Sequence, residues 1–592
     1  MEGGTEQPAA TPAEQKRDDI SLAQFKKYLP YIVLAALLVL GFNLRAYHLD
    51  YPVVGYHNWK EVHYLTEARN FAENGIVFKP WPFVPQWDLP FLKEPVTGEH
   101  ADTFPTISIL GSFAYRLFGD NLGALRGIGV ILNLASIVLL YFIVRRLFKR
   151  EDLALATAAV AALNPLMIFF SRNFQLDSPA LFFMLLGTWF FLKWIEHDKP
   201  RDFILTAAFV TFGIMTKYSF VVMAFPFLVI FPYKRLLEWK SRLKTFIPAA
   251  GIGLALLLWF TYMELIFKGW VKSVYGVTGG AVISLTEIIS FTEIFTAGFW
   301  QVMWPFIADN FTIAGFWFAV LGAFLLVMMR HKHPLGARYF LAYAGFGVLF
   351  TIILAHKLGG HSYHQFPYAP LAVFLIAYAF VVISTTAASL VRFTHARWLL
   401  ISLLILVLWP ATNASLDRQF GLVFPGLDVA GQFINMNSQP GEKIFHSSHQ
   451  NYGVLWHADR AGYKLPDDIV SFVEGEEKGV RWLFIYQWRL NFFQNEDVMP
   501  YVRENYHLRQ VGFAMQGTDF VPYYFLLEKG GTFDENKINE LLSGRGLGTR
   551  TYELPQGEFT LNVITLPHQS SEDTARQQRA QQELEALLNE TQ

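Results

Sequence analysis

The sequence predicts a mainly α-helical, polytopic membrane bundle of about eleven transmembrane helices with a C-terminal α/β domain. Of its 592 residues, 53% are hydrophobic and 16% are charged, which is less charge than a soluble chain of this size carries. Apolar stretches of membrane-crossing length recur through the first 412 residues, and the composition then changes. The chain therefore divides into a membrane part and a separate domain.

Eleven apolar segments account for the predicted transmembrane helices. They are residues 28–46, 122–144, 152–170, 177–195, 202–216, 218–233, 246–267, 312–329, 338–356, 367–388 and 396–412. The expected domains are a disordered cytoplasmic N-terminus (1–27), a transmembrane module (28–412) with a long first outer loop (47–121), an α/β domain (413–568) and a polar tail (569–592).

Basic residues mark alternate loops between these segments. They are Lys16, Arg17, Lys26 and Lys27 before the first span, and then Arg145, Arg146, Lys149, Arg150, Lys199, Arg201, Lys234, Arg235, Lys240, Arg242, Lys244, Arg330, Lys332, Arg338, Arg392 and Arg397 after every second span. By the positive-inside rule this side is cytoplasmic. The loops 47–121, 171–176, 268–311 and 357–366, together with Lys217 and the C-terminal domain, are then expected on the outer face.

The C-terminal part combines strand and helix signals. The segments EKIFHSS, VRWLFIYQ and YYFLLEKG are typical of strands, and the stretches from Asp428 to Asn437 and from Asp534 to Leu542 are typical of helices. We therefore predict a small extracytoplasmic α/β domain.

Composition and motifs exclude several functions. The net charge of −1 and the lack of a long basic run argue against nucleic acid as a partner. The chain has no cysteine, so it has no disulfide, no cysteine-ligated metal and no catalytic thiol. It also lacks a phosphate-binding glycine-rich loop followed by Lys-Ser/Thr, which argues against ATP-driven transport.

The first candidate site follows the first apolar span directly. His57, Lys60 and Glu61 lie near one another at the start of a predicted helix, after Asp50 and Tyr56 and before Tyr64. A carboxylate that is partly dehydrated at the bilayer surface gains proton affinity, as a general base requires. The alternative is an amphipathic interfacial helix whose charged side chains extend toward water.

A second acidic cluster lies later in the same loop. Asp102 closes the run Gly98-Glu99-His100-Ala101-Asp102 just before the apolar segment 106–118. Two carboxylates from this loop fit the two sides of a reacting sugar, although ordinary surface charge fits as well.

Further polar groups adjoin the outer ends of other spans. They are Arg172, Asp177, Lys217, His361, Tyr363 and His364. Cations at the membrane boundary beside histidine and tyrosine donors suit a lipid-linked phosphate or diphosphate. The alternative is that each side chain only reaches toward the interface or caps a helix.

Metal binding has no clear sequence signal. His361 and His364 have i, i+3 spacing, but no acidic ligand is fixed by spacing. The sequence therefore specifies no cofactor, and it is compatible with a divalent metal.

These residues resemble a known family, the C-type integral membrane glycosyltransferases, and in particular the prokaryotic relatives of protein O-mannosyltransferases and lipid A aminoarabinose transferases (glycosyltransferase family 39-like). The family pattern Asp-Glu, then Tyr, then Ala-Arg is similar to the run from Lys60-Glu61 through Tyr64 to Ala68-Arg69. Three other motifs are similar. They are Asp102-Thr103-Phe104-Pro105 with Leu117-Phe118-Gly119, Ser171-Arg172 with Asp177-Ser178-Pro179 and Thr216-Lys217, and the run from His361 to Pro367. One departure is that Lys60 stands where the family has its catalytic Asp.

The resemblance implies transfer of a sugar from a polyprenyl phosphate at the outer face of the cell (inner) membrane. The acceptor would be a glycan, lipid or protein of the cell envelope. Glu61 or Asp102 would be the catalytic base, with Asp50 as a further choice if the register differs. Substrate binding would involve His57, Lys60, Tyr64, Arg69, Arg172, Asp177, Lys217, His361, Tyr363 and His364. Single displacement would invert the anomeric centre, and Trp59, Trp81 and Trp87 would offer stacking surfaces or interfacial anchors.

Two other functions are compatible with the sequence. A transporter of lipid-linked sugar predicts polar residues in mid-span and broken helices in matching halves, yet mid-span charge is scarce. A non-catalytic membrane scaffold gains support from Lys60, because an ammonium group cannot act as a carboxylate base.

Overall fold

Helices dominate the chain up to residue 421, and strands dominate the domain that follows. The computed structural model describes residues 12–75, 77–79, 84–86, 91–92, 103–261, 290–391, 393, 395–517 and 519–569. Asp102, Trp81, Trp87 and the tail from residue 570 onward lie outside these described residues.

The helices of the membrane part follow in chain order. They are α1 (Pro12–Ala46), α2 (Asn58–Asn74), α3 (Thr106–Phe118), α4 (Leu122–Phe148), α5 (Glu151–Leu163), α6 (Pro165–Arg172), α7 (Asp177–His197), α8 (Pro200–Thr216), α9 (Phe225–Ile230), α10 (Trp239–Ser241), α11 (Ile247–Thr261), α12 (Ala297–Phe311), α13 (Ile313–Met328), α14 (Pro334–Ile353), α15 (Ala355–Gly360), α16 (Ala369–Ala388) and α17 (Ala396–Gly421). Short 3-10 helices (Tyr218–Met223, Tyr233–Leu237, Glu293–Phe295 and Ser362–Tyr368) and a π-helical turn (Arg242–Phe246) connect them.

Several of these helices are long and apolar enough to cross a membrane. Within the described part of the chain six qualify: Lys27–Ala46, Leu122–Phe148, Asp177–His197, Pro334–Ile353, Ser362–Ala388 and Ala396–Gly421. The bent pairs α5–α6 (54°) and α12–α13 (88°) raise the number to eight if each pair is one span. The chain is therefore a multi-pass, mainly helical membrane protein, as predicted.

The count of eleven spans stays a prediction. The segments expected at 202–216 and 218–233 form the 17-residue helix α8, a 3-10 helix and the short α9. The segment expected at 246–267 extends beyond Thr261, where the described residues stop.

Two elements differ from the sequence prediction. Helix α1 begins at Pro12, so residues 12–27, which were expected to be disordered, are helical. Proline suits the first turn of a helix, and the following Glu and Lys residues are good helix formers. Helix α12 lies where an outer loop was expected. The loop was predicted because Pro305, Asp309 and Asn310 interrupt an otherwise apolar run.

Asn164 produces the bend between α5 and α6. Its side chain accepts the backbone N–H of Met167, and Pro165 starts the new helix at its first position. The amide of Asn164 also donates to the carbonyl of Asn310 at 3.0 Å. The bend ends at Arg172, which α6 thereby directs to the end of the bundle that carries α2.

The C-terminal domain is built on an eight-stranded mixed sheet. Its strands are β3 (Phe91–Leu92), β4 (Lys443–His446), β5 (Gly462–Lys464), β6 (Val480–Tyr486), β7 (Tyr506–Gln516), β8 (Asp519–Lys529), β9 (Leu547–Leu554) and β10 (Gly557–Thr565), in the order β3-β5-β4-β6-β8-β7-β10-β9. β1 (Val77–Lys79) and β2 (Val84–Gln86) form a separate hairpin. The first four strands of the large sheet are parallel and the others are antiparallel. The predicted strands and the α/β class are confirmed.

Five helices complete this domain. They are α18 (Leu427–Asn437), α19 (Tyr452–Ala458), α20 (Ile469–Glu477), α21 (Met499–Asn505) and α22 (Ile538–Leu542), and short 3-10 helices cover His449–Asn451, Gln487–Gln494 and Glu535–Lys537.

The first loop and the C-terminal domain share one hydrophobic core. Val62 and Leu65 of α2 are fully buried in the same cluster as Leu427, Val454 and Tyr524 of the domain. Strand β3, which comes from the first loop, also joins the domain's sheet beside β5. The domain therefore packs directly on the segment that contains the candidate site.

We expect Gly322→Ala to destabilise the bundle by about 1–3 kcal/mol because it overpacks a close helix contact. A Cβ atom at Gly322 on α13 would lie 2.0 Å from the carbonyl oxygen of Leu375 on α16. Gly345→Ala is the matched control, since a Cβ atom at Gly345 has nothing within 4 Å. Thermal unfolding in detergent, followed by tryptophan fluorescence, compares the two. Equal melting temperatures would show that α13 and α16 do not approach this closely.

Candidate active site

The turn before α2 sets the geometry of the site. His57 precedes the helix in the left-handed conformation (φ 62°), which is uncommon for a residue with a side chain. The next residue, Asn58, ties the turn to the C-terminal domain. Its amide donates to the carbonyl of Gln450 at 2.9 Å, and its side-chain oxygen accepts the N–H of Gly453 at 3.2 Å.

A buried ion pair holds the first turn of α2. Arg126 of α4 makes two parallel hydrogen bonds to the Glu61 carboxylate, at 2.7 and 3.0 Å. The same carboxylate accepts the backbone N–H of Phe174 at 3.1 Å. Arg126 also donates to the carbonyls of Leu49 and Tyr51. One pair thus joins α2, α4, the segment after α6 and the turn after α1.

Arg172 lies beside this pair. Its guanidinium donates to the carbonyls of Tyr47 and His48 at 2.8 and 3.0 Å and lies over the ring of Phe420. Its Nε has no partner within the described chain. Arg172 and Glu61 line one small cavity, together with His48, Tyr51, Pro52, Gly55, Tyr56, Arg126, Phe169, Asn173, Gln419, Phe420 and Val423.

The surroundings of Glu61 favour its ionised form. Burial alone would raise the pKa of Glu61, but the charge and hydrogen bonds of Arg126, with the Phe174 N–H, outweigh burial and leave the pKa below its ordinary value. A carboxylate with a lowered pKa and both oxygens engaged is a weak proton acceptor. In this geometry Glu61 stabilises the site.

A second buried ion pair lies where α7 and α8 meet. The ammonium group of Lys217 is 2.6 Å from the Asp177 carboxylate, and the Asp177 side chain is buried whereas that of Lys217 is partly buried. Lys217 also lies over the ring of Tyr363, 4.4 Å from its centroid. This pair is the centre of a group of polar residues that we call the histidine–lysine cluster: His57, Lys60, Asp177, Lys217, Lys357, His361, Tyr363, His364 and His449.

Cations and neutral imidazoles make up most of this cluster. The ring of His361 lies 5.4 Å from that of His57 and stacks on that of Tyr363 at 5.2 Å. Burial, followed by the charges of Lys357 and Lys60, lowers the pKa of His361 to about 4. Burial, followed by the proximity of His361 and the charge of Lys217, holds the pKa of His57 well below 6.5. Both imidazoles are therefore neutral at pH 7.

Lys60 and Trp59 close one side of the cluster. The Lys60 ammonium lies over the rings of Trp59 and Tyr64, at 5.4 and 5.3 Å. Trp59 lies 5.5 Å from the ring of His361 and 5.8 Å from that of His449, which belongs to the C-terminal domain. The cluster thus draws on both the membrane part and the domain.

Several buried polar atoms near the cluster have no partner within the part of the chain that the structure describes. They are both ring nitrogens of His57, the indole nitrogen of Trp59, both amide atoms of Gln175, and the hydroxyls of Ser178 and Ser219. Gln175 and Ser178 flank Asp177, and Ser219 follows Lys217 by two residues. Buried polar groups need hydrogen-bond partners, so these atoms are suited to a hydroxyl-rich ligand or to water.

The structure distributes the predicted site residues over two neighbouring groups instead of one pocket. Arg172 and Glu61 line the small cavity, whereas His57, Lys60, Asp177, Lys217, His361, Tyr363 and His364 form the histidine–lysine cluster. Tyr64 is buried beneath Lys60. Arg69 contacts Asp459 at 2.7 Å and the ring of Trp456, so it joins the two domains.

Sequence reasoning missed two residues of the site. Arg126 lies inside an apolar span, and a charge in such a place is itself a signal of a structural or functional role. His449 comes from a distant part of the sequence, and no local pattern places it beside Trp59.

A metal centre finds little support among the described residues. The group whose ligand atoms lie close enough together is His507, Glu528 and His568, in the C-terminal domain. The guanidinium of Arg509 bonds to Glu528 and lies 3.2 Å from Nδ1 of His568. A cation already compensates the carboxylate, so this group does not fit a resident metal.

Comparison with known proteins agrees with the fold. The family model of dolichyl-phosphate-mannose-protein mannosyltransferases matches residues 100–263. An uncharacterised protein of Aquifex aeolicus (strain VF5) is 27% identical over 247 residues, which are 41% of this chain and 45% of that relative. The alignment thus spans less than half the length of that relative.

Solved structures of two membrane enzymes share the architecture. The Archaeoglobus fulgidus oligosaccharyltransferase in the apo form has a TM-score of 0.54 and 16% identity, over 90% of this chain and 80% of that one. ArnT from Cupriavidus metallidurans bound to undecaprenyl phosphate has a TM-score of 0.54 and 13% identity, over 84% of this chain and 97% of that one. The fold is therefore that of integral membrane glycosyltransferases of the C type, and the predicted resemblance is confirmed at this level.

Glu61→Gln is expected to destabilise the protein by about 3–5 kcal/mol, because it leaves the buried Arg126 without its carboxylate. Since the folded pKa of Glu61 is lowered, its stabilising effect is complete above its ordinary pKa of 4.5 and is lost as the pH falls toward the folded value. Thermal unfolding midpoints measured from pH 7 to pH 3 should therefore depend less on pH in E61Q than in the wild type.

Glu535→Gln is the matched control, because Glu535 pairs with Arg503 in an exposed position. Removing this exposed ion pair should lower the free energy of unfolding by at most about 1 kcal/mol. If E61Q lost no more unfolding free energy than E535Q, the Glu61–Arg126 pair would not hold the site together.

Proposed function

We propose that the chain transfers a sugar from a polyprenyl-phosphate donor to a hydroxyl acceptor, with inversion at the anomeric carbon. The observation that carries this proposal is the histidine–lysine cluster, in which the Lys217–Asp177 pair is surrounded by further cations. Charges in such a half-buried place at the end of a helix bundle are costly and favour a role with an anionic ligand.

The phosphate of the donor suits this cluster. The ammonium groups of Lys60 and Lys217 both act on the single carboxylate of Asp177 among the named cluster residues, so a bound anion would balance the second positive charge. Neutral His57 and His361 can donate hydrogen bonds to phosphate oxygens. The similar ArnT structure was solved with undecaprenyl phosphate, which supports a ligand of this class.

The reaction would be a single displacement. The acceptor oxygen forms the new bond to the anomeric carbon as its proton passes to a carboxylate. The bond between that carbon and the phosphate oxygen breaks, and the phosphate leaves with the electron pair. Lys217 and Lys60 stabilise the charge that develops on the phosphate, and the site orients the two reactants.

For the carboxylate base we favour Asp102 over Glu61. Both oxygens of Glu61 are held by Arg126 and Phe174. Asp102 lies outside the described residues, but the chain that follows it runs beside the cluster. Phe104 donates to the carbonyl of Met215, and the hydroxyl of Thr106 lies 2.6 Å from that of Thr216, next to Lys217.

The positive-inside pattern supports an extracytoplasmic site. We propose that the protein lies in the cell (inner) membrane with the N-terminus in the cytoplasm and the C-terminal domain outside. The proposed domains are those predicted from the sequence, with the transmembrane module ending near residue 412 and the C-terminal domain following it. The acceptor would then be a glycan, lipid or protein of the cell envelope.

A non-catalytic scaffold is the second candidate. It is favoured by Lys60, which replaces a carboxylate of the family pattern, and by the engagement of Glu61. Binding of the lipid carrier without transfer would distinguish it from an enzyme.

We expect Lys60→Ala to weaken binding of undecaprenyl phosphate about tenfold, since a charge-assisted hydrogen bond is worth about 1.5–3 kcal/mol. This variant leaves the Asp177–Lys217 pair in place, whereas Lys217→Ala should weaken binding further. Lys537→Ala, which removes an exposed cation of the C-terminal domain, is the control. Binding to the full chain in nanodiscs can be measured by native mass spectrometry. Unchanged affinity in both cluster variants would contradict a phosphate site here.

Asp102→Asn should reduce sugar transfer about 100-fold or more while undecaprenyl phosphate affinity is kept, because general-base catalysis contributes about 10²–10⁴-fold. Asp120→Asn, an exposed aspartate of the same loop, is the control. Transfer is measured in membranes with polyprenyl-phosphate sugars. If neither D102N nor E61Q reduces transfer, the base assignment is wrong. If no donor supports transfer by the wild type, the scaffold is favoured.

A further inference from the structure

The carboxyl edge of the parallel strands in the C-terminal domain faces the histidine–lysine cluster. From β4 the chain crosses through α19 to β5 on one side, and it then returns through α20 to β6 on the other side of β4. Tyr452 of α19 and Phe472 of α20 belong to different cores, so the two helices cover opposite faces of the sheet. Such a reversal opens a crevice at the carboxyl ends of the strands, where α/β domains bind ligands.

The residues that follow β4 are polar, and two of their buried side-chain atoms lack a hydrogen-bond partner in the described chain. The hydroxyl of Ser447 bridges β4 and β6 by donating to the carbonyl of Phe484 and accepting the N–H of Tyr486. Gln450 and Asn451 each have a buried amide atom, Oε1 and Nδ2, without a partner in the described chain. His449 is exposed beside them and contacts Trp59 of the first loop.

The residues that follow β6 add an aromatic surface. Trp488 is 41% exposed, although it contacts Tyr486 at 4.4 Å and Phe424 at 5.4 Å. These two contacts fix the ring and leave much of its surface to solvent. At the end of β5, the exposed Lys464 lies near enough to act electrostatically on His449.

We propose that this edge binds a carbohydrate acceptor, which stacks on Trp488 and hydrogen-bonds to His449, Gln450 and Asn451. The inference rests on the proposed function and names the class of its acceptor. A flat aromatic ring with amide and imidazole groups around it matches the apolar face and the paired hydroxyls of a sugar.

Other ligands fit this edge less well. The loop after β4, Ser447-Ser448-His449-Gln450-Asn451, contains no glycine, so it lacks the turn that cradles a dinucleotide phosphate. An extended peptide commonly adds to an open strand edge, but β4 and β6 are interior strands.

The position of the edge connects it to the reaction. His449 contacts Trp59, and Trp59 contacts His361 of the cluster at 5.5 Å. An acceptor bound at Trp488 and His449 would therefore lie beside the donor, where one of its hydroxyl groups could approach the anomeric carbon from the side opposite the phosphate. Asn58, which hydrogen-bonds to Gln450 and Gly453, fixes the start of α2 against the C-terminal domain.

Binding of the full-length protein to an array of hexose and aminohexose oligosaccharides, and to a library of Ser- and Thr-containing peptides, tests the inference. Wild type should bind a subset of the oligosaccharides, and W488A should bind them about tenfold or more weakly. W488F, which keeps a ring, should recover most of the affinity, and M436A, which changes an exposed side chain of the same domain (77% exposed), should be unaffected.

The same variants separate this inference from the proposed function. W488A should bind undecaprenyl phosphate as wild type does, whereas K60A should bind the lipid about tenfold more weakly and bind the oligosaccharide as wild type does. Peptides bound in place of oligosaccharides, no ligand bound by wild type, or equal binding by W488A and wild type would each overturn the carbohydrate site. Failure of the wild type to bind undecaprenyl phosphate, with oligosaccharide binding intact, would count against the donor proposal alone.

Discussion

The paired hydrogen bonds between Glu61 and Arg126 are the interaction on which the site depends. They place a carboxylate and a guanidinium in a buried position where neither charge could stay alone. Because Arg126 also holds the turn after α1, and Glu61 also holds the N–H of Phe174, the pair fixes two loops against α2 and α4 at one end of the bundle. This rigid end presents His57 and Lys60 to one side and Arg172 to the other.

The division of charge at this end explains how a chain with Lys60 could still work on a lipid phosphate. The carboxylate of Glu61 is compensated by Arg126, while the ammonium group of Lys60 lies among rings beside the Lys217–Asp177 pair. Replacing a carboxylate by Lys60 therefore adds an attraction for an anion to the cluster. A base would then come from another segment, and Phe104 and Thr106, which follow Asp102 in the sequence, contact Met215 and Thr216 beside Lys217.

Much of the fold followed from hydropathy, but the site followed only in part. Helices α4, α7, α14, α16 and α17 are long apolar runs whose hydrocarbon-crossing length is evident in the sequence, and the main strands of the domain follow from their β-branched and aromatic residues. Helix α12 was not predicted, because Pro305 and Asp309 interrupt its apolar pattern, and β3 was not predicted because two residues carry no periodicity.

The site residues were found where a charge interrupts the boundary of a span, as at Asp177 and Lys217. Their division into two groups could not be foreseen, since it depends on which side of α2 each side chain reaches. The contribution of the C-terminal domain is a long-range contact: Asn58 and Gln450 are separated by 392 positions. Only packing of the domain on α2 brings His449 to Trp59.

The most direct test of the account is a cryo-EM structure of the full chain in nanodiscs with undecaprenyl phosphate. The account predicts phosphate density within hydrogen-bonding distance of Lys217 and Lys60, beside His57 and His361, with the Glu61–Arg126 pair intact. Density for the phosphate in the small cavity at Arg172, or contact between the phosphate and Arg126 with Glu61 displaced, would contradict it.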